Sequence, residues 1–216
     1  MATPLIERAV SFITVKKERV YGVYMKVWPQ KMWKRVLLVV FLAIIIIGAA
    51  LLAYVALYIN RNVVSPLDVI NAGGSKTALV VYQPGLTNFP KDVLYAFGNG
   101  LAASGWRVEV TTASSQAPSD LSNYSLLVLG FPIYGGQPGT AIVRYADRLA
   151  NLHGINVVIV ACGAGSPGGS VDTMKQKTQT VGGTFKESIT LFSMAPNEGN
   201  GTATDIARQD GTQIPP

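Results

Sequence analysis

Three short segments concentrate the chemistry this 216-residue chain can offer: residues 83–89 (QPGLTNF), 132–138 (PIYGGQP) and 162–169 (CGAGSPGG). Each begins at the end of an aliphatic run. Each contains glycine, which lets a backbone amide come close to a ligand and accepts positive φ. Among them stand a hydroxyl and an amide (Thr87, Asn88), an aromatic ring (Tyr134) and the only thiol (Cys162). Such a set suits holding a ligand rather than cutting a bond. Other chemistries are poorly supplied. One His and one Cys in the chain give no metal-ligand cluster of the His/Cys kind and no intrachain disulfide. His153 lies in LHGIN, just before a strand-like run, so it belongs to the opposite edge of any sheet from the three segments. No Gly-x-Ser-x-Gly elbow is present, so Ser/His/Asp hydrolysis does not fit.

The elements that position these segments are legible from periodicity. Residues 77–82 (TALVVY), 126–131 (LLVLGF) and 155–161 (INVVIVA) are short, continuously aliphatic runs. Residues 106–112 (WRVEVTT) alternate, and 185–192 complete a fifth strand. Between them, residues 90–104, 140–150 and 170–180 read as helices, with a short one at 202–208; Val93, Leu94, Phe97 and Leu101 recur at helical spacing. Strand and helix in alternation predict a parallel sheet covered on both faces. Continuous aliphatic strands agree, because such strands are buried on both sides. In an open sheet of this kind ligands bind beyond the carboxyl ends of the strands, where the order reverses. All three glycine-bearing segments leave from that edge.

The order of elements, and the stretch LVLGFPIYGGQPG above all, resembles the flavodoxin family. Gly130, Pro132, Tyr134 and Gly135 stand where that family commonly has a Gly-x-Pro-x-Tyr/Trp-Gly pattern. GLAASGWRVEV is similar to the end of its first helix and its second strand, and VVIVACGAGSPGG to its fourth strand and following loop. The resemblance covers roughly residues 77–210. It implies a doubly wound α/β fold, a parallel five-stranded sheet of order 2-1-3-4-5, binding of flavin mononucleotide (FMN), and electron transfer. By position it implies Tyr134 stacked on the flavin ring, with Pro132 in the same loop and backbone groups of Ile133, Gly135 and Gly136 along the ring edge. It implies Cys162, Gly163 and Gly165 on the other side, and Thr87 and Asn88 at the phosphate. The family's hydroxyl-rich phosphate loop is reduced here: aligned from Val93 the positions read Gly85, Leu86, Thr87, Asn88, Phe89 and Pro90, and only Thr87 keeps a hydroxyl at its matching place. Asn88 suits an N-cap and Pro90 the first helical turn, so the amides of that helix end remain a phosphate attractor.

Ahead of this domain, residues 36–59 run for 24 positions without a charged side chain. As a helix they extend for about 36 Å, enough to cross a hydrocarbon core of about 30 Å. Residues 1–35 carry eight basic and two acidic groups, whereas residues 60–216 carry ten of each. The pI of about 9.5 therefore belongs to the arm and is not a nucleic-acid footprint on the folded domain. The charge bias predicts an uncleaved signal anchor, with a cytoplasmic N-terminus and an extracytoplasmic domain on the cell membrane. The basic arm, with Tyr21, Tyr24, Trp28 and Trp33 among its charges, suits an anionic lipid surface. Residues 4–26 read as either an interfacial helix or a flexible arm. The layout is an arm (1–35), a transmembrane helix (36–59), a polar linker (60–75) and a flavodoxin-like domain (76–216). Two functions follow. One is a membrane-anchored flavoprotein passing electrons to a membrane or surface partner. The other is a non-catalytic, membrane-tethered binding or assembly module of the same fold that has lost flavin binding.

Overall fold

A computed structural model describes residues 31–216. Residues 1–30, and with them the two readings of the arm at 4–26, lie outside the described residues. Two units are distinguished, divided between Tyr54 and Val55. The long apolar run forms one helix, α1 (Met32–Ile59), of 28 residues with no buried side chain. At about 1.5 Å per residue it extends for about 42 Å. Its exposed aliphatic surface has the length and composition of a membrane span or a signal sequence.

The second unit is an α/β domain. Its elements follow in the order β1 (Asp68–Ile70), β2 (Lys76–Tyr82), α2 (Phe89–Ala103), β3 (Trp106–Thr112), β4 (Leu126–Tyr134), β5 (Gln137–Pro138), α3 (Thr140–Asp147), β6 (Asn156–Gly163), α4 (Ser170–Thr180), β7 (Thr184–Phe192) and α5 (Ala203–Thr212). The strands lie in the order β1-β3-β2-β4-β6-β7, with β5 paired to β4. The five strands expected from the sequence pair in parallel, β3-β2-β4-β6-β7, which is the order 2-1-3-4-5. Order reverses between β2 and β4.

Residues alternate between the two faces of the sheet, as a period of two requires. Ala78, Val80, Val128, Val158 and Val160 face α2 and α5, where Leu94, Phe97, Leu101 and Ile206 cover them. Leu79, Val81, Leu127, Leu129 and Ile159 face the other way, against Ile142 and Tyr145 of α3 and Met174 of α4. Residues 113–125, between β3 and β4, contain no helix. They cover the α3 face with Ala113, Ala117 and Leu121 instead.

Two additions flank the expected sheet. Residues 60–75 contain β1, which pairs antiparallel with β3 (Val69 opposite Glu109). Residues 132–138 form a β-hairpin rather than an open loop: Ile133 pairs with Pro138 and Tyr134 with Gln137. Gly135 and Gly136, at φ +57° and +76°, make its two-residue turn. Positive φ at both central positions matches the twist of a tight hairpin, and glycine reaches it without strain.

Candidate functional site

The carboxyl ends of β2, β4 and β6 lie side by side at the point where strand order reverses, and the three glycine-bearing segments leave from there. The hairpin at the end of β4 places Tyr134 at the rim. The Tyr134 hydroxyl is buried, and among the described residues no group meets it in hydrogen-bond geometry. Burial raises its pKa. The backbone of Leu86 lies near enough to oppose that rise, and Tyr58 adds to it. Tyr134 thus faces the first segment, one residue from Thr87.

That first segment opens α2. Asn88 occupies the N-cap position, as expected, but its φ of −73° and ψ of −9° are already helical and its side chain makes no capping bond. Thr87 takes that role: its hydroxyl accepts the Phe89 amide at 3.3 Å. Pro90 stands in the first turn and has no N–H to give. The Asp92 amide is returned to the Asn88 carbonyl at 2.9 Å. Asp92 also puts a negative charge in the same turn, where the helix dipole would otherwise favour an anion. Thr87 and Asn88 themselves are exposed.

The third segment approaches from β6. Gly163 lies against Ile133: a Cβ placed on it would meet the Ile133 Cδ1 at 3.2 Å. Gly168, at φ +52°, packs on Gly136 so closely that a Cβ there would come within 2.4 Å of the Gly136 Cα. Gly165 is exposed beside Ala195. Cys162 belongs to the sheet rather than the loop, between Pro132 of β4 and Leu191 of β7. Its side chain joins the core beneath α2. Burial pushes the thiol up to about 12, so it is held as a neutral thiol.

The structure therefore brings the segments of Thr87, Tyr134 and Gly163 to one rim. Pro132, Ile133, Tyr134, Gly135 and Gly136 share the hairpin strand and turn, and Gly163 and Gly168 press on it. Thr87 and Asn88 reach this cluster through Leu86. Gly165 stands beside Ala195 instead, and the Cys162 side chain turns into the core.

Two features of the rim were not singled out from the sequence. Gln83, 2 % exposed, follows β2 directly and sends its side chain to the start of α3. Its Oε1 accepts the amides of Ala141 (2.9 Å) and Ile142 (3.1 Å), and its Nε2 donates to the Ile59 carbonyl at 3.2 Å. Gly139, the residue preceding α3, leaves the room for this, since any Cβ there would strike the Gln83 amide. The second feature is the segment after β7. Ser193 and Met194 donate backbone bonds to Gly163 and Ala164, which places the exposed Met194 beside the third segment. Nothing local in the sequence marks Gln83, because a glutamine after a strand usually points to solvent. Met194 carries the weak signal of a large apolar residue in a polar loop.

As a fit for FMN, the hairpin half of this rim supplies an aromatic ring, a buried hydroxyl in need of a partner and glycine backbone. The α2 end supplies fewer phosphate donors than a hydroxyl-rich loop.

Comparison with solved structures agrees with the topology. The chain superposes on a flavodoxin from the domain Archaea at TM-score 0.53 and 18 % identity, covering 64 % of this chain and 95 % of that one. It superposes on the Megasphaera elsdenii flavodoxin at TM-score 0.53 and 20 % identity, with 63 % and 99 % covered. For the flavodoxin of Streptococcus pneumonia TIGR4 the TM-score is 0.52 and the identity 18 %, with 62 % and 94 % covered. No family model and no curated protein matches the sequence. What these structures share with the chain is the order of a mostly parallel sheet and its covering helices, and the domain that follows α1 has the flavodoxin-like fold.

Proposed function

We propose that this protein is a membrane-anchored flavoprotein that holds FMN at the rim of β2, β4 and β6 and takes part in electron transfer. The observation that carries this reading is the convergence of the first and third segments on the hairpin of Tyr134, whose buried hydroxyl has the Leu86 backbone near it but meets no described group in full hydrogen-bond geometry. A buried polar atom without a partner is costly, and a bound group that offers one removes the cost. One of the similar structures is a flavodoxin in its two-electron reduced state, which supports the redox assignment.

The chain's own residues have definable tasks. Tyr134 lies against the ring. The backbones of Ile133, Gly135 and Gly136 line its edge, with Pro132 fixing the strand just before them. Gly163 and Gly165 close the far side, and Cys162 contributes only its place in the strand. Thr87 and Asn88, with the start of α2, meet the phosphate. Contact between Gly136 and Gly168 means that a ring entering between the hairpin and the third segment has to part them. FMN, when bound, supplies one- or two-electron chemistry; the protein supplies position and surroundings.

The layout proposed is the basic arm (1–35), a span (36–59), a connection (60–75) and the domain (76–216). α1 crosses the cell membrane once, with its N-terminus in the cytoplasm and the domain outside. The charge bias of residues 1–35 supports this orientation. The partner in electron transfer is then a membrane or surface protein.

The start of α2 favours a second reading, a tethered binding or assembly module of the same fold without flavin. Pro90 and Asp92 both weaken an anion site there. Missing hydroxyl donors at about 1 kcal/mol each amount to roughly a hundredfold in affinity. Titration of the detergent-solubilised full chain with FMN separates the two. Saturable uptake of one flavin per chain supports the first reading, and no uptake supports the second.

A further inference from the structure

A cavity of about 340 Å³ lies at the carboxyl end of β3, and no residue of the three rim segments lines it. Its polar lining comes from Asn60, Asn62, Ser114, Ser115, Arg144 and Arg148. Two guanidinium groups face this space and no carboxylate does. Neither arginine belongs to an ion pair among the described residues, where the pairs are Arg107–Glu109 and Lys177–Asp147. Instead neutral carbonyls hold them. Arg148 donates to the Ser115 carbonyl at 2.9 Å and the Ser114 carbonyl at 2.5 Å, and it lies over the Tyr145 ring. Arg144 donates to the Asn60 carbonyl at 3.2 Å. These bonds fix the position of both cations without neutralising them. They engage one donor of Arg144 and two of Arg148, out of five on each guanidinium. Asn62 reaches Ser115 Oγ at 3.4 Å, so hydroxyl and amide groups stand beside the cations.

A preorganised pair of guanidiniums with hydroxyl and amide donors is the chemistry that recognises phosphate. Chain connectivity adds a location. Asn60 immediately follows Ile59, the last residue of α1, and Asn62 is three residues beyond it. Three residues reach at most about 10 Å. A helix that crosses the bilayer ends at headgroup depth, so the cavity begins where lipid phosphates are found.

We propose that this cavity binds a phosphate group, carried by an anionic lipid headgroup or free in solution. The phosphate chemistry rests on the cavity alone. The lipid source rests also on reading α1 as a membrane span.

The test uses the full chain in two settings. In neutral detergent without flavin, inorganic phosphate is titrated while thermal unfolding is followed. In nanodiscs, phosphatidylcholine alone is compared with phosphatidylcholine plus phosphatidylglycerol. Wild type, Arg144→Gln and Asn62→Asp are measured in parallel. Asn62→Asp places a carboxylate beside the cations and leaves both arginine anchors intact, so it decides the matter should Arg144→Gln fold poorly. The arm at residues 1–35 attracts anionic lipid in every variant, so only the difference between wild type and variant is read. Expected is a phosphate-dependent rise in melting temperature for wild type and an apparent dissociation constant raised about tenfold or more in both variants. If phosphatidylglycerol also stabilises wild type more than Asn62→Asp, the source is lipid. If it does not, the source is soluble phosphate and the site stands. No phosphate dependence in wild type, or the same dependence in Asn62→Asp, overturns the proposal. Flavin uptake, read separately by absorbance, and membrane retention after alkaline washing report on the proposed function and do not enter this result.

Discussion

Gln83 and Tyr134 show how much of the rim depends on single polar groups. Gln83 satisfies two amides at the start of α3 from outside that helix, because Gly139 has no side chain to do so. Gln83→Leu keeps the volume and strands both amides in the interior. The expected loss is about 2–3 kcal/mol in urea unfolding, larger than for an ordinary surface glutamine. Tyr134 predicts the reverse pattern. Without a ligand its hydroxyl makes no well-formed hydrogen bond, with only the Leu86 backbone near it, so Tyr134→Phe leaves flavin-free stability within about 0.5 kcal/mol of wild type or raises it. Tyr134→Ala removes the ring and is expected to weaken FMN about tenfold, as the loss of one aromatic contact implies. Sequence reasoning reached Tyr134 through its motif. It missed Gln83 because the partner amides, 58 and 59 positions away, are defined only once β2 and α3 meet. It placed Asn88 at the N-cap correctly, but the capping bond comes from the Thr87 hydroxyl, because the Asn88 side chain makes none.

At the scale of elements, α2 and α5 cross at glycine. A Cβ on Gly100 would lie 2.2 Å from the Arg208 carbonyl oxygen, and one on Gly211 would lie 2.4 Å from that of Phe97. Helix propensity alone favours alanine over glycine by about 1 kcal/mol. The contact reverses the sign: Gly100→Ala is expected to destabilise by about 1–3 kcal/mol, because the helices must separate. Chemical denaturation of the full chain measures it. The edge of the sheet carries a pH signature. Partial desolvation raises the pKa of the Glu187 carboxyl in β7, and repulsion from Asp210 in α5 raises it further. Between the ordinary carboxylate pKa and the raised value the folded state holds more protons than the unfolded one, so ionised Glu187 detracts from stability above that window. Glu187→Gln should melt higher than wild type at pH 7. The difference should fade as pH drops below about 4.3, where both states are protonated. The five parallel strands and their helices were legible because each is an aliphatic run or a helical stripe. β1 was not, since Asp68–Ile70 is three residues long and mostly exposed. The hairpin at the end of β4 left a trace in Gly135-Gly136, but β5 has only two residues and one is proline, too short for a periodic signal.

For the molecule as a whole, an exposed 28-residue apolar helix and a flavodoxin-like domain are joined in one chain. The division of charge was plain from the sequence, and so was the class of sheet. Whether the three segments meet was not, because Thr87, Tyr134 and Gly163 come together only through strand order. Membrane insertion is expected to keep the protein in the pellet after alkaline washing, and protease added to intact cells is expected to reach the domain. Binding of FMN at the rim is read from the visible absorbance of the detergent-solubilised full chain, titrated with FMN and freed of excess by gel filtration. A flavin spectrum at one flavin per chain, much reduced in Tyr134→Ala, is expected. A colourless folded protein after saturating FMN would contradict that binding.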